Sequence, residues 1–330
     1  MAQITRNKPL KVASMFCGCG GSDLGIIGGF NFLNIAYKKL PFEIVYALDN
    51  DPYALSLYNA NFKDQAFCQD IREVLANKMQ DFDLLLGGFP CQSFSIAAQN
   101  PIRLGYKDEK GKLFFELVRI LKVKKPRFFI CENVKGLLSA NKGQAFKLIM
   151  QEFKNAGYYT QFKVLNAYDF GVPQKRERIF IIGFKNKVDF NNFQFPAPII
   201  EENKTVLKQV IDPSANDEEK WFFSQKAIDG MLKNRAKMNK GRVQNLNEPC
   251  NTIGSHLAKV SLNGTDPVLM INNKYRRFTP REAANIQSFP LSFKLDVVSE
   301  NRQYRAIGNA IPPVLMWHLA NALIACIKQI

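Results

Sequence analysis

The sequence predicts an α/β fold, an open and mainly parallel sheet doubly wound with helices on both faces, with a smaller region inserted late in the chain. Three observations predict it. Apolar runs of strand length recur at 11–16, 43–48, 82–86 and 127–131, as strands buried on both faces read. Helical stretches, Pro52 to Asn61 and Leu113 to Leu121, separate them. The chain of 330 residues is also long enough for one large core and a second, smaller one.

The first run, Lys11 to Phe16, leads into Cys17-Gly-Cys-Gly-Gly-Ser-Asp-Leu-Gly25, a glycine-rich loop opening a helix. Gly18, Gly20 and Gly21 let a ligand approach the backbone closely, and the helix N–H groups would face it. The spacing is not the dinucleotide fingerprint. Cys17-x-Cys19 lacks a second cysteine or histidine pair nearby, so no metal is expected there. The second run, Glu43 to Leu48, ends in Asp49-Asn-Asp51. Asp49 can accept from ribose hydroxyls, while Asp51, just before Pro52, suits the cap of the helix running to Asn61. Phe67 to Asp70 reads as a short third strand that leaves Asp70 within reach of an adenine amino group. A glycine loop with strand-end acids and no phosphate-binding lysine suits a nucleoside cofactor without phosphates. S-adenosylmethionine fits that description better than ATP or NAD.

The third run, Phe82 to Leu86, is broken by Gly87-Gly88, and Pro90 stiffens the backbone before Cys91. Gln92, Ser93 and Ser95 follow, which puts Cys91 at a cleft edge at a strand's C-terminal end. Taken alone, Cys91 is also compatible with a small buried hydrophobe. Residues 97–112 read as a mobile loop. Arg127 to Cys131 is the next strand, and Glu132-Asn133-Val134 leaves the same sheet edge. Within Gly171 to Gly183, Arg176 and Arg178 are expected on one strand with period two, facing one cleft. They would bind phosphate or a base carbonyl, or else be solvated edge-strand charges.

Composition narrows the partners. Lys and Arg number 45 against 29 Asp and Glu, a formal net charge of +16. That favours a polyanion, although a basic protein without such a partner has the same balance. Seven cysteines without regular spacing point to a reducing compartment. With only His256 and His318, chemistry built on several histidines is not expected. The basic N-terminus precedes an apolar run too short for a signal peptide, and no segment approaches a membrane span in the sequence reading. A soluble, cytoplasmic protein with no membrane partner is expected.

Phe16-x-Gly18-x-Gly20-Gly21, Pro90-Cys91-Gln92, Glu132-Asn133-Val134, Gln174-x-Arg176-x-Arg178 and Gly308-Asn309 occur in an order that resembles the C5-cytosine-specific DNA methyltransferases, in their compact bacterial modification form. A tRNA-modifying branch shares these motifs. The resemblance covers roughly residues 11–184 and 275–330 and implies a seven-stranded sheet of the S-adenosylmethionine-dependent methyltransferase type. It makes Cys91 the thiolate that adds to cytosine C6, Glu132 the group that hydrogen-bonds N3, and Arg178 the holder of the base O2. Arg176 would order the cleft and meet phosphate, and Asn133 and Asn309 would anchor the active-site loops. Phe16, Gly18, Gly20, Asp49, Asp70, Pro90 and Asn309 would hold S-adenosylmethionine. Asp49 is one methylene shorter than the glutamate common there. Gln92, Ser95 and Asn133 would lie toward the DNA, and residues 94–112 would close over a flipped base.

The remainder reads as a target-recognition domain and hinge, residues 185–301, inserted into a catalytic domain of residues 1–184 and 302–330. From Lys226 to Arg242 the chain carries six Lys and Arg against Asp229. Lys233, Arg235, Lys237 and Lys240 would contact phosphates, unless the stretch is a solvated helix face. Asn247 to Gly254 resembles a segment of the family's recognition region, so Thr252, Ser255 and His256 would lie near DNA. Thr279, Pro280 and Glu282 form a helix-start signature. The helix from Pro313 is expected to pack beside the first strand. Double-stranded DNA is the implied partner of a monomer, with a cognate restriction endonuclease acting on the same site.

Overall fold

Seven strands form the central sheet: β1 (Leu10–Met15), β2 (Phe42–Asp49), β3 (Phe67–Cys68), β4 (Leu84–Gly87), β5 (Phe128–Val134), β6 (Tyr159–Asn166) and β7 (Glu177–Phe184). The computed structural model describes residues 8–89, 112–199, 204–233, 242–257 and 266–328. The strand order is β3-β2-β1-β4-β5-β7-β6. All neighbours run parallel except β7, which is antiparallel to both β5 and β6. A short connection joins β6 to β7, and only antiparallel strands can be joined without a long crossover.

Alternation along the strands explains why both faces are covered. Leu84, Leu86, Phe128, Ile130, Phe180 and Ile182 enter one apolar cluster. Leu85, Phe129, Cys131, Ile179 and Ile181 enter the other. The first face carries helices α1 (Gly21–Ile27) and α2 (Pro52–Asn61), and the second carries α3 (Lys112–Lys124) and α4 (Gln144–Asn155). Helix α5 (Lys187–Asn192) stays on the sheet, where buried Asp189 takes a bidentate pair from Arg127, both contacts 2.7 Å.

The rest of the chain carries α6 (Gln225–Lys233), α7 (Pro280–Ile286), α8 (Glu300–Asn309) and α9 (Pro313–Lys328). The helix start read at Thr279 is present: its hydroxyl accepts from Glu282 N, and the Glu282 carboxylate accepts from Thr279 N. Glu282 also accepts both guanidinium arms of Arg276 at 2.8 Å, and both side chains are wholly buried.

Two expectations need correction. The third strand is only Phe67–Cys68, because Asp70 turns the chain by capping a short helical turn, Ile71–Glu73. Glu300–Ile327 is long and apolar enough by composition to cross a membrane, contrary to the sequence reading. The chain breaks between α8 and α9, however, and Val314, Leu315, Leu319 and Leu323 are buried in the core. Helix α9 packs on α1 and shares a core cluster with Val12 of β1.

Candidate active site

The strand order reverses between β1 and β4, and a crevice at the C-terminal ends of strands is expected there. A cleft of about 890 Å³ occupies that point, lined by the ends of β1, β2, β4 and β5, by Arg176 and Arg178, by residues 252–255 and by the end of α8.

One half of the cleft is glycine backbone and acid. Phe16, Gly18 and Gly20 all have positive φ, at 59°, 56° and 89°. At Gly20 a Cβ would lie 2.2 Å from the Phe62 ring, so only glycine fits. Asp49 accepts from Gly18 N at 2.8 Å and Asp51 N at 2.9 Å, tying the glycine loop to the end of β2. Burial raises the Asp49 pKa despite those two N–H donors. Asp51 caps α2 through Tyr53 N and Ala54 N. The hydrogen bond from the Arg72 side chain holds the Asp70 carboxyl below its ordinary range. Behind the loop, buried Asp23 accepts from Ser14, Ser22 and Tyr58 hydroxyls, a cluster that the sequence did not disclose. Asp49, Asp51, Asp70 and bare glycine backbone suit a nucleoside bearing a positive sulfonium and would repel a polyphosphate. This donor set fits S-adenosylmethionine. Phe16 and Asn309 line the same cleft.

The other half is built around Glu132. The antiparallel register sets Arg178 opposite Val134, so Glu132, two residues back, lies diagonally on the same face. Arg178 Nε lies 3.0 Å from Glu132 Oε1, with the two side chains 14 % and 15 % exposed. Burial pushes the Glu132 pKa up, and outweighs the opposing pull of Arg178 and then Arg176. Gly88 adjoins this carboxylate: a Cβ there would stand 3.7 Å from Glu132 Oε2. Asn133 is buried, and both ends of its amide are used internally. It donates to Phe89 O at 2.9 Å and accepts from Val134 N. The side chain therefore holds the turn before Pro90, which corrects the expectation that Asn133 faces a DNA strand.

Arg176 and Arg178 do not share one strand, which corrects the period-two expectation. Gln174–Lys175 pairs with Cys250–Asn251 in a separate small sheet, and the central strand starts at Glu177. Asn166 Oδ1 accepts from Arg176 N where the chain passes between the two sheets. Arg176 is 2 % exposed and donates to Ile253 O, Gly308 O and Ala310 O at 2.9–3.0 Å. Its guanidinium clips three distant segments together, and burial lowers its pKa to about 9. Gln174 and Gln287, both buried, extend the clip: Gln174 accepts from Ile253 N and donates to Gln287, which donates to Ile307 O. Gln287 was missed in the sequence, where Ile286-Gln-Ser-Phe289 is half polar and gives no signal of a buried amide.

Among the described residues, Cys17, Cys19, Cys131, Cys250 and Cys326 are buried and Cys68 is exposed. Burial pushes the Cys19 thiol up to about 12 and Cys326 to about 11, and raises Cys17, Cys131 and Cys250 as well. None of these five is poised as a thiolate. Pro90, Cys91, Gln92, Ser95, Arg235, Lys237 and Lys240 lie outside the described residues, as does the side chain of Lys233 at the end of α6. Thr252 and Ser255 line the cleft, and the Thr252 hydroxyl donates to Lys175 O at 2.6 Å.

A family model described as C-5 cytosine-specific DNA methylase matches residues 10–325. The chain is 34% identical over 346 residues to the Type II methyltransferase M.FnuDI of Fusobacterium nucleatum, covering 95% of this chain and 94% of that one. It is 34% identical over 314 residues to the Type II methyltransferase M.Bsp6I of Bacillus sp. (strain RFL6), covering 92% and 94%. Among solved structures, the Entamoeba histolytica methyltransferase EhMeth superposes with a TM-score of 0.76 at 18% identity, over 96% of this chain and 98% of that one. The S. pombe Dnmt2 methyltransferase gives 0.74 at 20% identity, with the same coverage. Those two likenesses speak to the fold.

Proposed function

The chain belongs to the C-5 cytosine-specific DNA methylases and is a DNA cytosine-5-methyltransferase; from that premise we propose that it methylates cytosine in a specific duplex sequence, using S-adenosylmethionine, a flipped base and a covalent Cys91–C6 adduct. The observation that carries this reading is the Glu132–Arg178 pair at 3.0 Å, in the cleft shared with the glycine loop and beside Gly88, three residues before Cys91.

C5 of cytosine is too weak a nucleophile to take a methyl group unaided. The Cys91 thiolate forms a bond to C6, and the C5–C6 π electrons become those of an enamine. Glu132, with its raised pKa, shares its proton with N3 as that charge develops. Arg178 donates to O2 and keeps the base in plane with Glu132. When bound, S-adenosylmethionine supplies an electrophilic methyl group to C5. A water molecule takes the C5 proton, and the electrons of that C–H bond restore the C5–C6 double bond and expel the Cys91 sulfur as thiolate. Asn133, by holding Phe89 O, fixes the chain two residues before Cys91. Extruding the base costs a few kcal/mol of stacking and pairing, which DNA contacts elsewhere must offset.

A tRNA cytosine methyltransferase would need the same cleft, and an inactive DNA-binding protein would retain its shape. The 34% identity to Type II methyltransferases favours duplex DNA as the substrate, and the reading includes a cytoplasmic monomer paired with a cognate restriction endonuclease. A duplex carrying 5-fluorocytosine at the target separates these readings, because fluorine cannot leave as a proton. A trapped adduct mapping to Cys91 is expected, together with methyl transfer to duplex DNA in preference to tRNA. An adduct on another cysteine, or substantial activity in Cys91→Ser, would remove Cys91 from this role.

A further inference from the structure

Asp49, Asp51 and Asp70 line the glycine half of the cleft, with Asp23 behind it, and they differ in what faces them. Asp70 is paired with Arg72 at 2.7 Å, and Asp51 lies 3.7 Å from Arg305. Asp49 takes backbone N–H groups. Asp23, wholly buried one residue after the cleft-lining Ser22, takes three hydroxyls: Ser14 at 2.6 Å and Ser22 at 3.0 Å on Oδ1, and Tyr58 at 2.9 Å on Oδ2. Among the described residues no cation pairs with it. Burial raises its pKa, and the three hydroxyls pull the other way. Packing alone does not call for this charge. An asparagine would accept both serine hydroxyls through its oxygen and donate an N–H to the Tyr58 oxygen. Burying a carboxylate opposes folding more than burying that amide does. The charge is nonetheless felt in the cleft: the Cys17 and Cys19 thiols on its lining are raised first by burial and further by Asp23.

We propose that Asp23 sets the cofactor preference of the cleft: its charge, held behind the glycine loop, favours the sulfonium of S-adenosylmethionine over the neutral thioether of S-adenosylhomocysteine. The proposal rests on the S-adenosylmethionine reading and deepens it. In methyl transfer the C–S bond breaks and its electron pair stays on sulfur, so the positive charge vanishes from the cofactor. A carboxylate set behind the loop reads that change without touching the ligand, because attraction between unit charges extends several ångströms through protein. Being wholly buried, Asp23 escapes the counterions and water that screen a surface acid. The hydroxyls fix where the charge sits. Ser14 belongs to β1, and Tyr58 belongs to α2, where its ring stacks on Phe62 with centroids 4.2 Å apart, against Gly20. The spent cofactor loses the attraction as it forms and gives way to a fresh donor.

Equilibrium binding of S-adenosylmethionine and S-adenosylhomocysteine is measured by calorimetry for the full chain, for Asp23→Asn, for Phe62→Leu, and for Ser14→Asp combined with Asp23→Ser. Both ligands carry the same adenosine, ammonium and carboxylate, so the ratio of their affinities isolates the sulfonium. Asp23→Asn should cost S-adenosylmethionine on the order of tenfold, as loss of a counter-charge across one layer of backbone does at intermediate dielectric, and leave S-adenosylhomocysteine nearly unchanged. Phe62→Leu loosens the ring against Gly20 without altering a charge, and should weaken both ligands alike. The double variant moves the carboxylate to the other end of the Ser14–Asp23 hydrogen bond and should keep the preference, which decides the matter even if Asp23→Asn folds poorly. Equal losses for both ligands in Asp23→Asn, or a ratio that moves as far in Phe62→Leu, would make the effect one of packing and overturn the proposal. So would a double variant that is folded by thermal unfolding yet lacks the parent's preference. Failure of the unaltered protein to bind either ligand would count against the S-adenosylmethionine reading itself, so the two failures are told apart.

Discussion

Glu132 concentrates the residue-scale physics. Its acid is buried beside two guanidiniums, and the net direction of its pKa is upward, so desolvation wins over both charges. A raised folded pKa means that the folded state holds its proton above the ordinary value of 4.5. Stability from this group is therefore fully present below 4.5 and falls as pH rises through the folded pKa. Glu132→Gln, which mimics the protonated form, escapes that loss. Its thermal midpoint should match the parent below pH 4.5 and exceed it at neutral pH. Methylation should meanwhile fall by roughly 10²–10⁴-fold, the usual contribution of a general acid, with duplex binding largely kept. A rate within a few-fold of the parent would place the N3 proton elsewhere.

Between elements, the decisive contact is backbone against backbone. Helix α8 meets residues 252–255 so closely that a Cβ at Gly308 would lie 2.2 Å from Gly254 O. Neither side of that contact is a flexible side chain, so Gly308→Ala must separate the two segments and loosen the Arg176 clip on Gly308 O and Ala310 O. Overpacking of this kind costs about 1–3 kcal/mol, measurable by denaturant unfolding. A variant as stable as the parent would mean that the junction gives freely. The buried Arg276–Glu282 pair guards the start of α7 in the same way. Glu282→Gln leaves a guanidinium buried without its counter-charge, and a loss of about 3–5 kcal/mol is expected. Unfolding midpoints of Glu282→Gln beside Glu282→Gln with Arg276→Met check this, since removing both charges should recover part of the loss.

Across the whole molecule, charge and connectivity divide the labour. A formal charge of +16 favours DNA wherever it lies, but only contacts to base edges read sequence. We propose that residues 185–301 hold those readers, with Lys233, Arg235, Lys237 and Lys240 positioning the duplex. Neutralising any one of the four should weaken specific and nonspecific binding together and lower the salt slope by about 0.9. Sequence preference should survive, whereas replacing residues 185–275 with a relative's should change which cytosines are methylated, as sequencing of modified DNA reads out. A preference that moves with a single lysine would make the stretch part of the reading surface.

By itself, the amino-acid order determined the sheet and the order of its chemistry. Buried strands, glycine turns, the Asp51 cap and the Thr279 box are local patterns, and each depends on neighbours a few residues away. Tertiary structure decided which look-alike residues face the cleft. Arg176 and Arg178 are two positions apart, yet one holds carbonyls 77 and 132 positions distant and the other holds Glu132. Asp49 joins the glycine loop through a contact 31 positions away, and Asn133 turns inward to Phe89. Periodicity gives the face on which a side chain leaves its strand. Which unpaired carbonyl or acid waits there is set by packing between segments far apart in the chain, because a buried donor must find an acceptor wherever the fold supplies one.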